Sequence, residues 1–158
     1  MSWKSDLPKR PPSISEVSED SGHKLVHQLW NFQDERGNLS VANLRSILGS
    51  AERIFFVYGS TISSLRGDHA HRTCSQLLFS PSGWTDVFVQ APDSKVLALR
   101  LDSPQVALLI PPMYWACQYQ RSNEAVLAVV ASHPYEEHDY IRDYDQWRSA
   151  LREYGRGM

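Results

Sequence analysis

The chain alternates short apolar runs with polar turn clusters. "RIFFVYG", residues 53 to 59, is rich in β-branched and aromatic residues and ends on a glycine. "WTDVFVQ" alternates cleanly, with Trp84, Asp86, Phe88 and Gln90 on one side and Thr85, Val87 and Val89 on the other. That pattern predicts a strand. "HKLVHQLWNF" alternates more loosely, placing Leu25, His27, Leu29 and Asn31 together, and "DERGNLSV" reads as a turn followed by extended chain. "TCSQLLFS" leads into a Pro-Ser-Gly turn at 81 to 83, and Ala91 to Ser94 forms another turn. "KVLALRL", "QVALLIPP" and "EAVLAVVA" are further strands, each bounded by Pro, Asp, Ser or Asn. Strands spaced by roughly 8 to 12 residues and separated by turn signals indicate an all-β sandwich or barrel. Two stretches stand apart. "SVANLRSILG" is ambiguous, because Leu44, Ile47 and Leu48 would share one helical face. Tyr140, Tyr144, Trp147 and Leu151 recur at helical spacing, so "DYDQWRSALREYG" predicts a terminal helix closed by its glycine.

Length and composition bound the class. A chain of 158 residues suggests one domain. Residues 1–22, with Pro8, Pro11, Pro12 and several serines and charges, predict a poorly ordered extension, leaving residues 23–158 as the folded domain. A net charge of -2 argues against nucleic acid as a partner, although a local basic pocket is compatible with it. Cys74 and Cys117 lie inside apolar runs and are too few for a disulfide framework, which fits a reducing compartment. No apolar run reaches the roughly 20 residues of a membrane span. The N-terminus "MSWKSDLPKRPP" lacks the apolar core of a signal peptide. The expected location is the cytoplasm, with no membrane partner.

The chemistry concentrates in "RGDHAHRTCSQ", residues 66 to 76. In a strand, His69 and His71 point to the same face. Such a pair can hold a metal, move a proton or fill a polar gap. Metal-binding cupin barrels follow His-x-His with a glutamate and a third histidine on a later strand. Here the acidic position is Gln76, and the later strand, "IPPMYWACQY", carries Trp115 and Ala116 instead of histidine. Two imidazoles and an amide make a poor transition-metal site, so no metal is expected. An imidazole suits acid/base work near neutral pH. Arg66 and Arg72 flank the pair and Arg53 lies on the preceding strand, and guanidinium groups match phosphate oxygens. These residues suggest a phosphorylated ligand beside a histidine base.

"RGDHAHRTCSQ", together with "DERGNLSV", "LDSPQVALLIPP", "YW", "VLAVVAS" and "YEEHDYIRDYDQW", resembles the nucleotide-sugar 3,4-ketoisomerases, the WxcM-like sugar isomerases of the cupin superfamily. The resemblance runs from residue 29 to about 148 with its motifs in order. It implies an all-β jelly-roll (cupin) barrel with a short C-terminal helix, and a homodimer with exchanged N-terminal strands. It also implies no cofactor, and a dTDP-linked keto sugar as substrate. Its reaction moves a carbonyl from C4 to C3 through an enediol. By motif, His69 would be the base and His71 its partner or shuttle. Arg53, Arg66 and Arg72 would contact diphosphate or sugar, and Gln76 and Trp115 would line the pocket. Arg36 would lie near the sugar and set the face of reprotonation at C4.

Two departures from that pattern involve three positions. Phe55 and Phe56 stand where tyrosines are usual, and phenylalanine relays no proton. Ala116 stands where histidine or arginine usually faces the sugar. A different keto metabolite on the same barrel, or a non-catalytic nucleotide-sugar module, therefore stay open. Asp139, Arg142 and Asp143 read as a salt-bridged helix start, with Tyr140, Tyr144 and Trp147 docking the helix on the barrel. His133 and His138 read as surface residues.

Overall fold

A computed structural model describes residues 3–17 and 24–154. Its strands are β1 (Val26–Gln28), β2 (Trp30–Asp34), β3 (Gly37–Val41), β4 (Arg53–Val57), β5 (Arg66–His71) and β6 (Gln76–Ser82). They continue as β7 (Thr85–Gln90), β8 (Val96–Leu101), β9 (Val106–Ile110), β10 (Trp115–Arg121), β11 (Val126–Ala131) and β12 (Tyr140–Ile141). One sheet has the order β1-β9-β6-β11-β4 and the other β12-β5-β10-β7-β8, while β2 and β3 form a separate hairpin. This is the predicted jelly roll, with two sheets face to face as a sandwich rather than joined into one closed barrel.

Inward side chains of both sheets interdigitate. Leu78, Leu108, Leu127 and Val129 of the first meet Val87, Val89 and Leu99 of the second, all essentially inaccessible. Three satellite clusters cover the outer faces, one of them formed by Phe88, Cys117 and Tyr119 under Trp3 and Leu7. The ambiguous segment is helical at α1 (Leu44–Leu48), and Leu44, Ile47 and Leu48 pack on Leu29, Leu77 and Ala107 as their spacing requires. The terminal helix is α2 (Tyr144–Tyr154), capped by Asp143, whose Oδ1 accepts from Gln146 N–H at 2.8 Å. Fully buried Trp147 donates its indole N–H to the Met113 carbonyl at 2.8 Å. The glycine expected to close α2 lies outside the described residues.

Two expectations change, and one strand is more deeply placed than its alternation requires. Tyr140 is not helical: it sits on β12, paired with His71 of β5. β7 is buried on both faces. It runs between β10 and β8, and its outer side chains are covered by Trp3 on Phe88, Tyr144 on Gln90 and Arg100 on Asp86. Finally, residues 3–17 of the predicted extension dock on the domain. Ile14 is fully buried in the main core, and Arg100 N–H donates to the Pro12 carbonyl at 2.7 Å. Two apolar side chains, Trp3 and Ile14, bury enough surface to hold a segment that its prolines and charges alone would leave loose.

Candidate active site

The site is built on one irregularity of β5. Ala116 of β10 pairs with His69, while its neighbour Cys117 pairs with Gly67. Asp68 is therefore an extra residue, a β-bulge that re-aims the strand. Gly67 and Asp68 both have left-handed backbones, at φ 75 and 58. A Cβ on Gly67 would lie 3.1 Å from the Ala116 carbonyl oxygen, so the close approach of the strands requires glycine there.

Beyond the bulge the two imidazoles face the interior. Their Nε2 atoms are 3.2 Å apart. His71 Nδ1–H donates to Asp139 Oδ2 at 2.8 Å, an assignment that follows from the carboxylate being an acceptor only. Asp139 is held by Thr73, whose N–H and Oγ1–H donate to Oδ1 at 2.7 and 2.8 Å. With its proton on Nδ1, His71 turns a lone pair at Nε2 toward His69 and toward the Gln76 amide, 3.2 Å away. A proton taken up by His69 thus has an acceptor within reach. Tyr140 roofs the pair, its ring centred 5.0 Å from His69 and 4.3 Å from His71, with the Arg142 guanidinium over it at 4.3 Å.

Electrostatics follow from burial. His69 has its pKa pushed down to about 4, chiefly because burial disfavours the charged ring, with smaller contributions from His71 and Arg142. The backbone of Gly67 opposes this shift only in part. His71 is also lowered by burial, against the pull of Asp139. Burial works upward on Asp139, but its bonds from Thr73 and His71 outweigh it and hold the carboxyl below its ordinary value. A base acts in its neutral form, present above its pKa. The acid limb of the kcat/KM profile is therefore expected near pH 4, not near the ordinary 6.5, which a pH series on the purified protein will show.

The pair opens into a cavity of about 620 Å³ lined by Phe55, Arg66, His69, Gln76, Gln118 and Tyr140, among others. Several predicted residues meet here and others do not. Phe55 faces the cavity, whereas Phe56 points outward from β4 and is exposed. Ala116 faces inward opposite His69. Arg66 reaches the cavity rim beside Ser60. Arg53 stays on the His71 side, over the rings of Phe55 and Tyr135, and its buried Nε finds no hydrogen-bond partner among the described residues. Arg72 is exposed, and its backbone N–H holds the Asp139 carbonyl at 2.8 Å. Trp115 is carried away from the cavity. It alternates with Ala116 and so packs outward, against Trp147 and Tyr144 of α2. Arg36 is far more exposed, at the tip of the β2–β3 hairpin, ion-paired with Asp34. His133 and His138 are exposed, as read from the sequence.

Asp139 and Tyr140 meet the histidine pair, whereas the sequence places Asp139 in a salt-bridged helix start and Tyr140 among the residues that dock the helix. The signal was present in "DYIRDYD", but nothing local links it to "HAH". One metal-type cluster occurs among the described residues, His71, Cys74 and Asp139, with ligand atoms within 4.8 Å. Its members already bond within the protein: His71 Nδ1–H donates to Asp139, Asp139 also accepts from Thr73, and the Cys74 thiol donates to the Ser75 carbonyl.

Known proteins share this fold. A TDP-4-oxo-6-deoxy-α-D-glucose-3,4-oxoisomerase from Aneurinibacillus thermoaerophilus is 32% identical over 132 residues, covering 80% of this chain and 94% of that protein. The crystal structure of QdtA, a sugar 3,4-ketoisomerase from Thermoanaerobacterium thermosaccharolyticum in complex with TDP, superposes with a TM-score of 0.75 at 26% identity. That match covers 82% of this chain and 94% of QdtA. A 3,4-ketoisomerase from Helicobacter canadensis gives 0.74 at 29% identity, over 80% of this chain and 96% of its own. The family model described as FdtA, WxcM-like, C-terminal matches residues 22–152, and the chain belongs to that family.

Proposed function

We propose that this chain is an isomerase of a TDP-linked 4-keto-6-deoxyhexose that moves the carbonyl from C4 to C3. The observation that carries the reading is the His69–His71–Asp139 chain opening on the cavity, within a family whose relatives are sugar 3,4-ketoisomerases. His69 takes the proton from C3. The C–H electron pair becomes a C3–C4 double bond, and charge moves onto the C4 oxygen. The imidazolium then passes its proton to C4, directly or through the His71 lone pair, while the C3 hydroxyl proton moves to the C4 oxygen, so that C3 closes to the ketone and C4 is left with a hydroxyl. Tyr140 covers the rings and Arg66 provides a cation at the rim for diphosphate.

The same reading includes a homodimer with exchanged N-terminal strands. Its support is a hairpin showing Trp30, Phe32 and Leu39 at 58% exposure or more, and an edge strand β4 showing Ile54 and Phe56. Exchange would also bring Arg36 from its solvent position to a partner's cavity. It includes a cytoplasmic location, supported by two free, buried cysteines.

Incubation with TDP-4-keto-6-deoxyglucose in deuterated buffer tests the function. NMR is expected to show the 3-keto isomer carrying deuterium at C4. Absence of both the product and exchange at C3 overturns the assignment. Phe55 in the cavity favours a second reading, a less polar keto metabolite on the same histidines. It gains if TDP shows no calorimetric binding at millimolar concentration.

A further inference from the structure

The family match begins at residue 22, so the docked segment 3–17 lies outside the part shared with the isomerases. It crosses the outer face of the sheet that carries both histidines. Trp3 stacks on Phe88 at 5.0 Å and on Tyr144 at 6.0 Å, tying β7 to the start of α2. The Tyr119 hydroxyl donates to the Pro8 carbonyl at 2.9 Å, Ser13 Oγ–H donates to Asp102 at 2.7 Å, and Ile14 enters the main core. The segment meets the catalytic strand at the bulge. Lys4 Nζ lies 2.6 Å from Asp68 Oδ2.

That contact falls where the backbone is under strain. Asp68 is a non-glycine residue at φ 58, immediately before His69. Such a conformation costs about 1 kcal/mol and persists when the surroundings fix it. The other carboxylate oxygen, Oδ1, is buried without a hydrogen-bond partner among the described residues, so the ammonium compensates a poorly solvated group. The direction in which β5 leaves the bulge sets the Nε2–Nε2 separation of the two imidazoles.

We propose that residues 3–17 form a strap that holds this bulge, and that Lys4 is a positioning residue for His69, acting through Asp68. Lys4 touches no reacting atom. It keeps Asp68 in the left-handed conformation that aims His69 at the cavity and at His71. Being half exposed, the ion pair contributes little to global stability, so its effect is local.

The kinetic arm of the test rests on the isomerase reading; the spectroscopic arm does not. Lys4→Met in the full chain is expected to lower kcat about tenfold, with KM, TDP affinity and melting temperature close to parental values. Lys4→Arg is expected to restore most of the loss. Asp68→Asn keeps a residue that tolerates the left-handed backbone but removes the pair. On the pH plateau, where both rings are neutral, it should match Lys4→Met, and the double variant should be no worse than either. The His69 imidazole NMR signals should shift in Lys4→Met and return in Lys4→Arg. Parental kcat with parental His69 signals in Lys4→Met overturns the proposal, as do additive losses in the double variant. If the parent protein fails to turn over TDP-4-keto-6-deoxyglucose, the isomerase reading falls and the imidazole signals alone decide the role of Lys4.

Discussion

His69→Asn is expected to lower turnover about a thousandfold while leaving TDP affinity within about twofold. The amide is similar in reach to imidazole but takes up no proton near neutral pH, so the C3 proton loses its acceptor. Deuterium incorporation at C3 and C4 should fall together, because one ring handles both carbons. Stability should change by less than about 1 kcal/mol, since His69 Nδ1 has no bond to lose and the 3.2 Å contact of its Nε2 leaves His71 with Asp139 and Gln76 as partners. Single-turnover NMR in deuterated buffer separates the outcomes. Exchange at the parental rate would move the base to another group, with His71 the nearest at 3.2 Å.

Asp139→Asn is expected to cost about a hundredfold in kcat with a smaller change in KM. The carboxylate accepts from three donors: Thr73 N–H, Thr73 Oγ1–H and His71 Nδ1–H. An amide has one oxygen for these three. If its NH₂ faces His71, two donors oppose each other and the ring moves its proton to Nε2. The lone pair that receives the proton from His69 is then gone. Asp139→Ala should also destabilise the fold by about 3 kcal/mol, because it strips a buried partner from His71 and Thr73. Urea unfolding measures this. The linkage has a definite sign. The folded Asp139 pKa lies below its ordinary 3.8, so the parental contribution is full above that value and lost as the pH falls through the lowered one. A variant without the carboxylate should lose this acid sensitivity.

Much of the architecture can be read along the chain, since β strands announce themselves by local alternation and turn residues. What escaped depends on tertiary neighbours. β7 alternates as if half exposed, yet Trp3 and Tyr144, distant in sequence, cover its outer face. Tyr140 falls on a helical period with Tyr144 only because β12 ends two residues before the cap of α2. Trp115 and Ala116 sit in one motif, but strand alternation sends them to opposite faces. The histidine pair was visible because both members occupy one strand. Its orienting acid was not, because Asp139 lies 68 positions from His71 and meets it only through the pairing of β12 with β5.

The strand order also sets when the site can exist. Within the two large sheets, β7 and β8 are the sole sequence neighbours that pair, and every other pairing joins strands that are not consecutive in the chain. Such topologies fold slowly, because long loops must close before their contacts reward them. The histidine strand waits for β10 on one edge and for β12, near the end of the chain, on the other. During synthesis, "HAH" therefore emerges long before Asp139 and Tyr140 are available to orient and cover it. The reactive pair is among the last parts of the molecule to be completed, and a growing chain carries the residues of the site without its geometry.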